Sequence, residues 1–269
     1  MEMTAVATYR PCPSCGTEQV SDLPKFNRDA WRIGMCNLCD FVFLRNPVEY
    51  TALEDEFAWE KTYVSAGESH TKARSYLSAF AQKVRLLSYR MRGRHAQLYL
   101  KHLKAGPVID IGCGDLVRFD ERFVPFGIEL STALQSAADT AMRELGGFCI
   151  HGAGADAIWE FEAGAVESVL MHSYLEHEVA YARVLDGCFR VLRPGGQIFI
   201  RVPNFSSLNR RIAGAKWPGF RYPDHVNYFT PASLQKAVES AGFKFKIVNR
   251  HKIWLDDNIQ ALAIKPTHN

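Results

Sequence analysis

Cys12-Pro13-Ser14-Cys15 and Cys36-Asn37-Leu38-Cys39 are two Cys-x-x-Cys pairs with twenty residues between them. Each pair turns tightly enough to aim two thiolates at one ion. The intervening residues can fold as a hairpin that carries the second pair alongside the first, so the spacing predicts one tetrahedral zinc held by Cys12, Cys15, Cys36 and Cys39. Four sulfurs leave no open coordination position, so the ion is expected to be structural rather than hydrolytic. A redox pair is the competing use of Cys-x-x-Cys, but it needs no second knuckle. The chain has seven cysteines, an odd set that fits metal binding in a reducing compartment better than a disulfide framework. Cys113, Cys149 and Cys188 read as small apolar core residues.

A second group of residues bears on ligand binding. Val108-Ile109-Asp110-Ile111 is an apolar run that ends in Gly112-Cys113-Gly114, a buried strand entering a glycine-rich turn. Glycine lets the backbone approach a ligand because no Cβ intervenes. The dinucleotide pattern G-x-G-x-x-G is not completed, since Leu116 and Val117 follow, which weakens a dehydrogenase reading. Phe126-Gly127-Ile128 ends in Glu129, placed where a carboxylate can accept hydrogen bonds from both hydroxyls of a ribose. His172, His177 and His225 lie in segments expected to reach the strand ends, and histidine is the natural proton acceptor near neutral pH. His225 is the first choice for that role. It lies in Tyr222-Pro223-Asp224-His225-Val226-Asn227-Tyr228-Phe229, a segment long enough to cover a pocket. Thr230-Pro231 then opens a helix as N-cap and first-turn pair.

The elements needed to position these groups alternate along the chain. Strands are predicted at Val108–Ile111, Phe126–Ile128, Phe148–Ile150, Val166–Met171 and Gln197–Val202, and helices at Leu130–Leu145 and Val179–Leu192. Arg193-Pro194-Gly195-Gly196 is expected to stop the second helix. Repeated βα units predict a parallel sheet with helices on both faces and a ligand at the carboxyl ends of its strands. Phe41-Val42-Phe43-Leu44 is expected to close the cysteine ribbon or to dock it. From Ser69 to Ile109 there are nine Lys or Arg residues and no Asp or Glu. Tyr76, Leu77, Phe80, Val84, Leu87 and Met91 recur at helical intervals there, so the segment reads as a basic amphipathic helix, either a solvated packing helix or a surface for phosphate-bearing molecules.

The 269 residues are 47% apolar and 23% charged with a net charge of +3, enough to bury a core and too mildly basic to define a nucleic-acid protein. No run approaches the length of a membrane span and the N-terminus lacks the pattern of a signal peptide, so a cytoplasmic location is expected.

DIGCG at Asp110–Gly114, GIELS at Gly127–Ser131, SYLEH at Ser173–His177 and RVLRPGGQIFIRVPN at Arg190–Asn204 resemble the motifs of class I S-adenosylmethionine-dependent methyltransferases, in that family's order and spacing. The resemblance covers Gly106 to the C-terminus. It implies an α/β, Rossmann-like seven-stranded sheet whose last hairpin, Phe243–Val248 with Asn258–Ile264, is antiparallel. It implies S-adenosylmethionine as cofactor, with Asp110, Gly112, Cys113 and Gly114 around its methionine part, Glu129 and Leu130 at the ribose, Ala155 and Asp156 at the adenine, and His172 at the adjoining strand end. Leu116 stands where the family has a third glycine. A narrower resemblance takes in nearly the whole chain. Some members, several of them sugar C-methyltransferases, carry a four-cysteine ribbon, a Tyr-rich helical segment and a stretch similar to YPDHVNYFTPASLQKAVESAGF; the resemblance implies a substrate-facing Tyr63, for which an ordinary packed tyrosine is the alternative. Glu176 with His177 is also similar to a divalent-metal motif of quinone-precursor methyltransferases, but with only one carboxylate evident there a structural role for His177 beneath the cofactor is the favoured reading.

The implied organisation is a zinc ribbon over 1–45, a helical connector and substrate cap over 46–105, and a methyltransferase domain over 106–269 with a lid near 203–230. The expected acceptor is a small molecule, a nucleotide-linked sugar or related biosynthetic intermediate. RNA methylation is the enzymatic alternative, for which ribbon and basic helix would dock the nucleic acid. A noncatalytic interaction protein with a degenerate pocket is the other. Oligomeric state does not follow from these residues.

Overall fold

The computed structural model describes residues 9–48, 99–114 and 119–267. The helical stripe from Tyr76 to Met91, Tyr63 and Leu116 lie outside the described residues.

The central strands of the larger sheet are apolar runs largely buried on both faces, as parallel strands require. In chain order its strands are β4 (Gly106–Ile111), β5 (Phe123–Glu129), β6 (Phe148–His151), β7 (Val166–His172), β8 (Leu192–Pro203), β10 (Lys244–Ile247) and β11 (Asn258–Ile264), arranged β10-β11-β8-β7-β4-β5-β6. β6, β5, β4, β7 and β8 run parallel, and β11 pairs antiparallel with both β8 and β10. The sheet is therefore the expected seven-stranded Rossmann-like one, and its strand order reverses at β4, where β4 and β7 part toward opposite edges.

Helices flank it. α1 (Thr132–Arg143) is capped by Ser131, whose side chain accepts from Leu134 N–H, and it buries Ala138 and Met142. α2 (Gly154–Ala157) is a single turn, and α3 (Tyr181–Val191) buries Val184, Leu185, Cys188 and Val191 against the sheet. Arg193–Gly196 does more than stop that helix. Leu192 already pairs with Val166 while Gln197 pairs with Ser168, so the four intervening residues form a bulge inside β8 rather than a turn ahead of it. Pro194 has no N–H to donate to a ladder. Gly195, at φ 77°, reverses the backbone and donates to Lys265 O at 3.0 Å.

The N-terminal residues form a second, four-stranded antiparallel sheet: β1 (Val20–Asp22), β2 (Ile33–Cys36), β3 (Val42–Leu44) and β9 (Asn227–Tyr228). β9 belongs to the segment between β8 and the helix α5 (Pro231–Ser240), yet it pairs with β3 through Val42–Tyr228 and Phe43–Asn227. A core continues across the junction. Phe26, Ile33, Val42 and Leu44 pack with Phe205, Trp217, Phe220, Val226 and Tyr228. Phe41 meets Tyr181 and Phe229 at centroid distances of 5.8 and 5.3 Å. Each such fully buried side chain contributes roughly 1.5–3 kcal/mol of transfer free energy, so ribbon and larger sheet are one packed body at this face. The short helix α4 (Leu208–Ala213) lies ahead of Trp217, and α5 starts with the expected Thr230 cap, completed by Ser233 as a capping box. Among the described residues no helix is long and apolar enough to cross a membrane.

Candidate functional site

The four cysteines converge. Their sulfurs all lie within 4.8 Å of one another, with Cys12 Sγ 3.6 Å from Cys39 Sγ and Cys15 Sγ 3.5 Å from Cys36 Sγ. Leu38 N–H points at Cys36 Sγ at 3.4 Å. Burial acts to raise the Cys36 pKa, but backbone N–H groups of Leu38 and Cys39 and the neighbouring thiols outweigh it and bring it down to about 7. Burial pushes Cys12 up. A donor set of four soft sulfurs, one of them ready to ionise near neutral pH, fits zinc in a closed tetrahedral shell.

At the reversal of strand order, β4 ends in a turn that only glycine adopts without strain. Gly112 and Gly114 have φ of 69° and 62°. A Cβ on Gly112 would come 2.8 Å from Tyr174 Cδ2, so the ring of Tyr174 already fills that space. Glu129 fastens the turn to β5: its Oε2 accepts from Gly114 N–H at 2.9 Å and its Oε1 from Ser131 N–H at 3.0 Å. A carboxylate has about four acceptor directions, so these two bonds orient it and leave capacity for two hydroxyls. Asp110 is fully buried below the turn, Cys113 is buried with its sulfur 3.6 Å from that of Cys149, and Leu130 is half-buried beside Glu129. Ala155 is buried on α2, while the Asp156 side chain is 78% exposed and pairs with Arg183 at 3.3 Å. Asp110, Gly112, Gly114 and Glu129 thus gather at the carboxyl ends of β4 and β5. His172 is at the same end, its Nε2 3.0 Å from the Tyr99 hydroxyl. Ser173, in the left-handed region at φ 59°, turns the chain there and receives a hydrogen bond from Arg201 at 2.8 Å.

His177 and His225 meet in a buried cluster with Glu176. Their rings are T-shaped at 4.6 Å, and one ligand atom from each of the three residues lies within 4.8 Å of the others, which is also a three-donor set for a divalent cation. His177 Nδ1 is 3.0 Å from Asp224 O and His225 Nδ1 is 2.8 Å from Gly219 O. A carbonyl only accepts, so Nδ1 carries the proton in both rings. Burial, with Arg221 adding to it, lowers His177 to about 4, and burial with the neighbouring His177 and Arg221 lowers His225 well below 6.5. Both imidazoles are consequently neutral at pH 7, with the Nε2 lone pair free to take a proton or a ligand. Glu176 shows the opposite response. It is 1% exposed, its Oε2 has no hydrogen-bond partner, and burial raises it to about 8 against the pull of Arg201 and Arg221.

Sequence reasoning names the histidines but not the groups that hold them. Tyr174 donates its hydroxyl to Glu178 and packs on the glycine turn. Asn227 donates to Leu175 O and Glu178 O. Its place two residues after His225 in the YPDHVNYF segment is the one local signal that could have found it.

A reversed parallel sheet with a glycine turn answered by an acid on the next strand defines a Rossmann-like domain suited to hold a nucleoside. The chain belongs to the class I S-adenosylmethionine-dependent methyltransferases: the family model described as a methyltransferase domain matches residues 83–246. It is 29% identical over 160 residues to a ubiquinone biosynthesis O-methyltransferase of Burkholderia pseudomallei (strain 1710b), a match covering 53% of this chain and 66% of that protein. A protein of the same name from Burkholderia vietnamiensis (strain G4 / LMG 22486) is 30% identical over 156 residues, 52% of this chain and 65% of that one. The chain thus spans just under two thirds of the length of these relatives. Among solved structures, a possible histamine N-methyltransferase of Thermotoga maritima superposes with a TM-score of 0.50 at 17% identity, covering 71% of this chain and all of that one. The [4+2]-cyclase SpnF superposes equally, at 16% identity over 65% of this chain and 80% of its own. These likenesses establish the fold.

Proposed function

We propose that the protein transfers the methyl group of S-adenosylmethionine to oxygen or carbon of a small molecule, a nucleotide-linked sugar or a related biosynthetic intermediate, and that its four cysteines hold a structural zinc. The observation that carries this reading is the Gly112–Gly114 turn pinned by Glu129 at the strand-order reversal, and the buried pair of neutral histidines, His177 and His225, supports it. The names of the curated relatives support an oxygen acceptor of small-molecule type.

When bound, S-adenosylmethionine supplies an electrophilic methyl on a positively charged sulfur. Glu129 would accept from the ribose hydroxyls, and the peptide groups of Gly112 and Gly114 would approach the methionine part. His225, with Nδ1–H held by Gly219 O, presents Nε2 as the proton acceptor. Methyl transfer to the acceptor atom would leave S-adenosylhomocysteine behind, and His225 would take the proton that the acceptor gives up as it is methylated. A hydroxyl oxygen that has begun to bond to methyl is strongly acidic, so an imidazole weakened by burial still takes its proton. Such acid-base assistance is worth roughly 10²- to 10⁴-fold. His177 packs edge-to-face on His225 and fixes its ring.

The test is a screen of nucleotide-sugars, phenolic quinone precursors and RNA with a radiolabelled methyl donor. Transfer to a small molecule, lowered about 10²-fold or more in His225→Asn with unchanged cofactor affinity, is the expected result. Transfer to RNA alone, or no calorimetric binding of the cofactor, overturns the proposal.

A further inference from the structure

Arg10 links the cysteine ribbon to the segment that carries His225. Its Nε donates to Leu44 O at 2.9 Å on β3, and its guanidinium lies 5.3 Å over the ring of Phe43. The other end of the fork reaches into the larger domain. One terminal nitrogen donates to Val226 O at 2.6 Å and to Asn227 Oδ1 at 3.2 Å, and the other reaches Val179 O at 3.5 Å. Asn227 is 2% exposed, and its amide nitrogen donates to Leu175 O at 2.8 Å and Glu178 O at 2.7 Å. The backbone N–H groups of Val226 and Asn227 both converge on Glu176 O, at 2.7 and 3.1 Å. Thus the carbonyls of Leu175, Glu176, Glu178 and Val179, which bracket His177, are all tied to Arg10 or to the two residues that follow His225. His177 Nδ1–H to Asp224 O, at 3.0 Å, is a further tie between loop and histidine segment, and their relative placement brings the His177 and His225 rings to 4.6 Å.

We infer that Arg10 is a positioning residue of the methyl-acceptor site: borne by the ribbon, it orients Asn227 and so locks the His225 segment onto the Glu176-His177 loop. The ribbon then completes the pocket instead of serving as a separate docking module. The inference rests on the proposed role of His225 in proton removal for its functional meaning, but not for its test. Planar, bidentate recognition of two acceptors at once is a property of guanidinium that an ammonium lacks, so Arg10→Lys should keep the charge and lose the fork.

The experiment uses the full chain as wild type, Arg10→Met and Arg10→Lys. Long-range ¹H–¹⁵N correlation of the histidine rings, assigned with His177→Asn and His225→Asn, reads the exchange of the two Nδ1–H protons with solvent. Arg10→Met should speed both exchanges about tenfold or more, and Arg10→Lys by a smaller factor, because exchange of buried protons reports local opening. Backbone amide protection in β4 and β7 and calorimetric cofactor affinity should stay within about twofold. Should Arg10→Met fail to bind cofactor, Arg10→Lys alone decides. Ring exchange within about twofold of wild type in the folded variants, or a loss of protection spread equally over β4 and β7, overturns the inference. If ring exchange rises locally while His225→Asn retains full turnover, the positioning role of Arg10 stands and the base assignment falls.

Discussion

Replacing Glu176 with glutamine is expected to stabilise the protein at neutral pH, by an amount that grows as pH rises. Burial lifts this carboxyl from its ordinary 4.5 to about 8, and its Oε2 has no hydrogen-bond partner. The folded chain therefore keeps the proton up to about pH 8, whereas the unfolded chain releases it above 4.5. Across that window the unfolded state binds fewer protons, so stability falls with rising pH, by about 1.4 kcal/mol per unit. Between pH 4.5 and 7 the loss amounts to about 3 kcal/mol, and a glutamine amide, which does not ionise, avoids it. His177 and His225 act from the other side. Their folded pKa values are lowered, so stability is complete above the ordinary 6.5 and declines as pH falls below it. Both proteins share that contribution, and it largely cancels in their difference. Urea unfolding of wild type and Glu176→Gln from pH 5 to 8 should show a gap of under about 1 kcal/mol at pH 5 that widens to about 3 kcal/mol at pH 7. A gap that does not vary with pH would mean that Arg201 and Arg221 hold an ionised carboxylate, and the reasoning from burial would be wrong.

Gly112→Ala places a Cβ at φ 69° and 2.8 Å from Tyr174 Cδ2; calorimetry should show cofactor affinity reduced about tenfold or more, since left-handed backbone alone costs roughly 1–2 kcal/mol. Glu129→Gln keeps one acceptor oxygen where the carboxylate serves Gly114 and Ser131, and loss of a charge-assisted bond of about 1.5–3 kcal/mol should weaken cofactor binding roughly 10- to 100-fold in the same assay. Elemental analysis should find one zinc per chain, and Cys36→Ser should lose it together with several kcal/mol of urea stability, on the order expected for a structural site; full stability without metal would remove the zinc assignment.

The parallel strands of the larger sheet are legible because they carry short apolar runs punctuated by glycine, a local pattern that survives without knowledge of neighbours. The same holds for the cysteine knuckles and for the Thr230-Pro231 helix start, whereas the antiparallel hairpin is expected only from the family resemblance. Arg193–Gly196 is read correctly as the end of a helix, but proline and glycine announce a break without telling whether pairing resumes on the same strand, as it does through the bulge. β9 is illegible for a different reason. Two residues carry no periodicity, and Asn227-Tyr228 finds its partner on a strand far away in the chain. At the candidate site, residue type is visible but electrostatic state is not: nothing local distinguishes a histidine neutralised by burial from a solvated one. Arg10 is one of 32 basic residues, and only the fold reveals that its guanidinium spans two segments of the domain.

The late closure of the β3 edge bears on how the chain is made. Val42, Phe43 and Leu44 are all buried in the finished protein, and their outer edge waits for Asn227 and Tyr228, which emerge roughly 180 residues later on the ribosome. At about 5–20 residues per second that delay is on the order of 10–40 s, during which a sticky apolar strand has one unpaired side. A nascent chain stalled before Tyr228 would be a ready template for intermolecular pairing, so translation speed through the second half of the message sets how long newly made copies need shelter from one another.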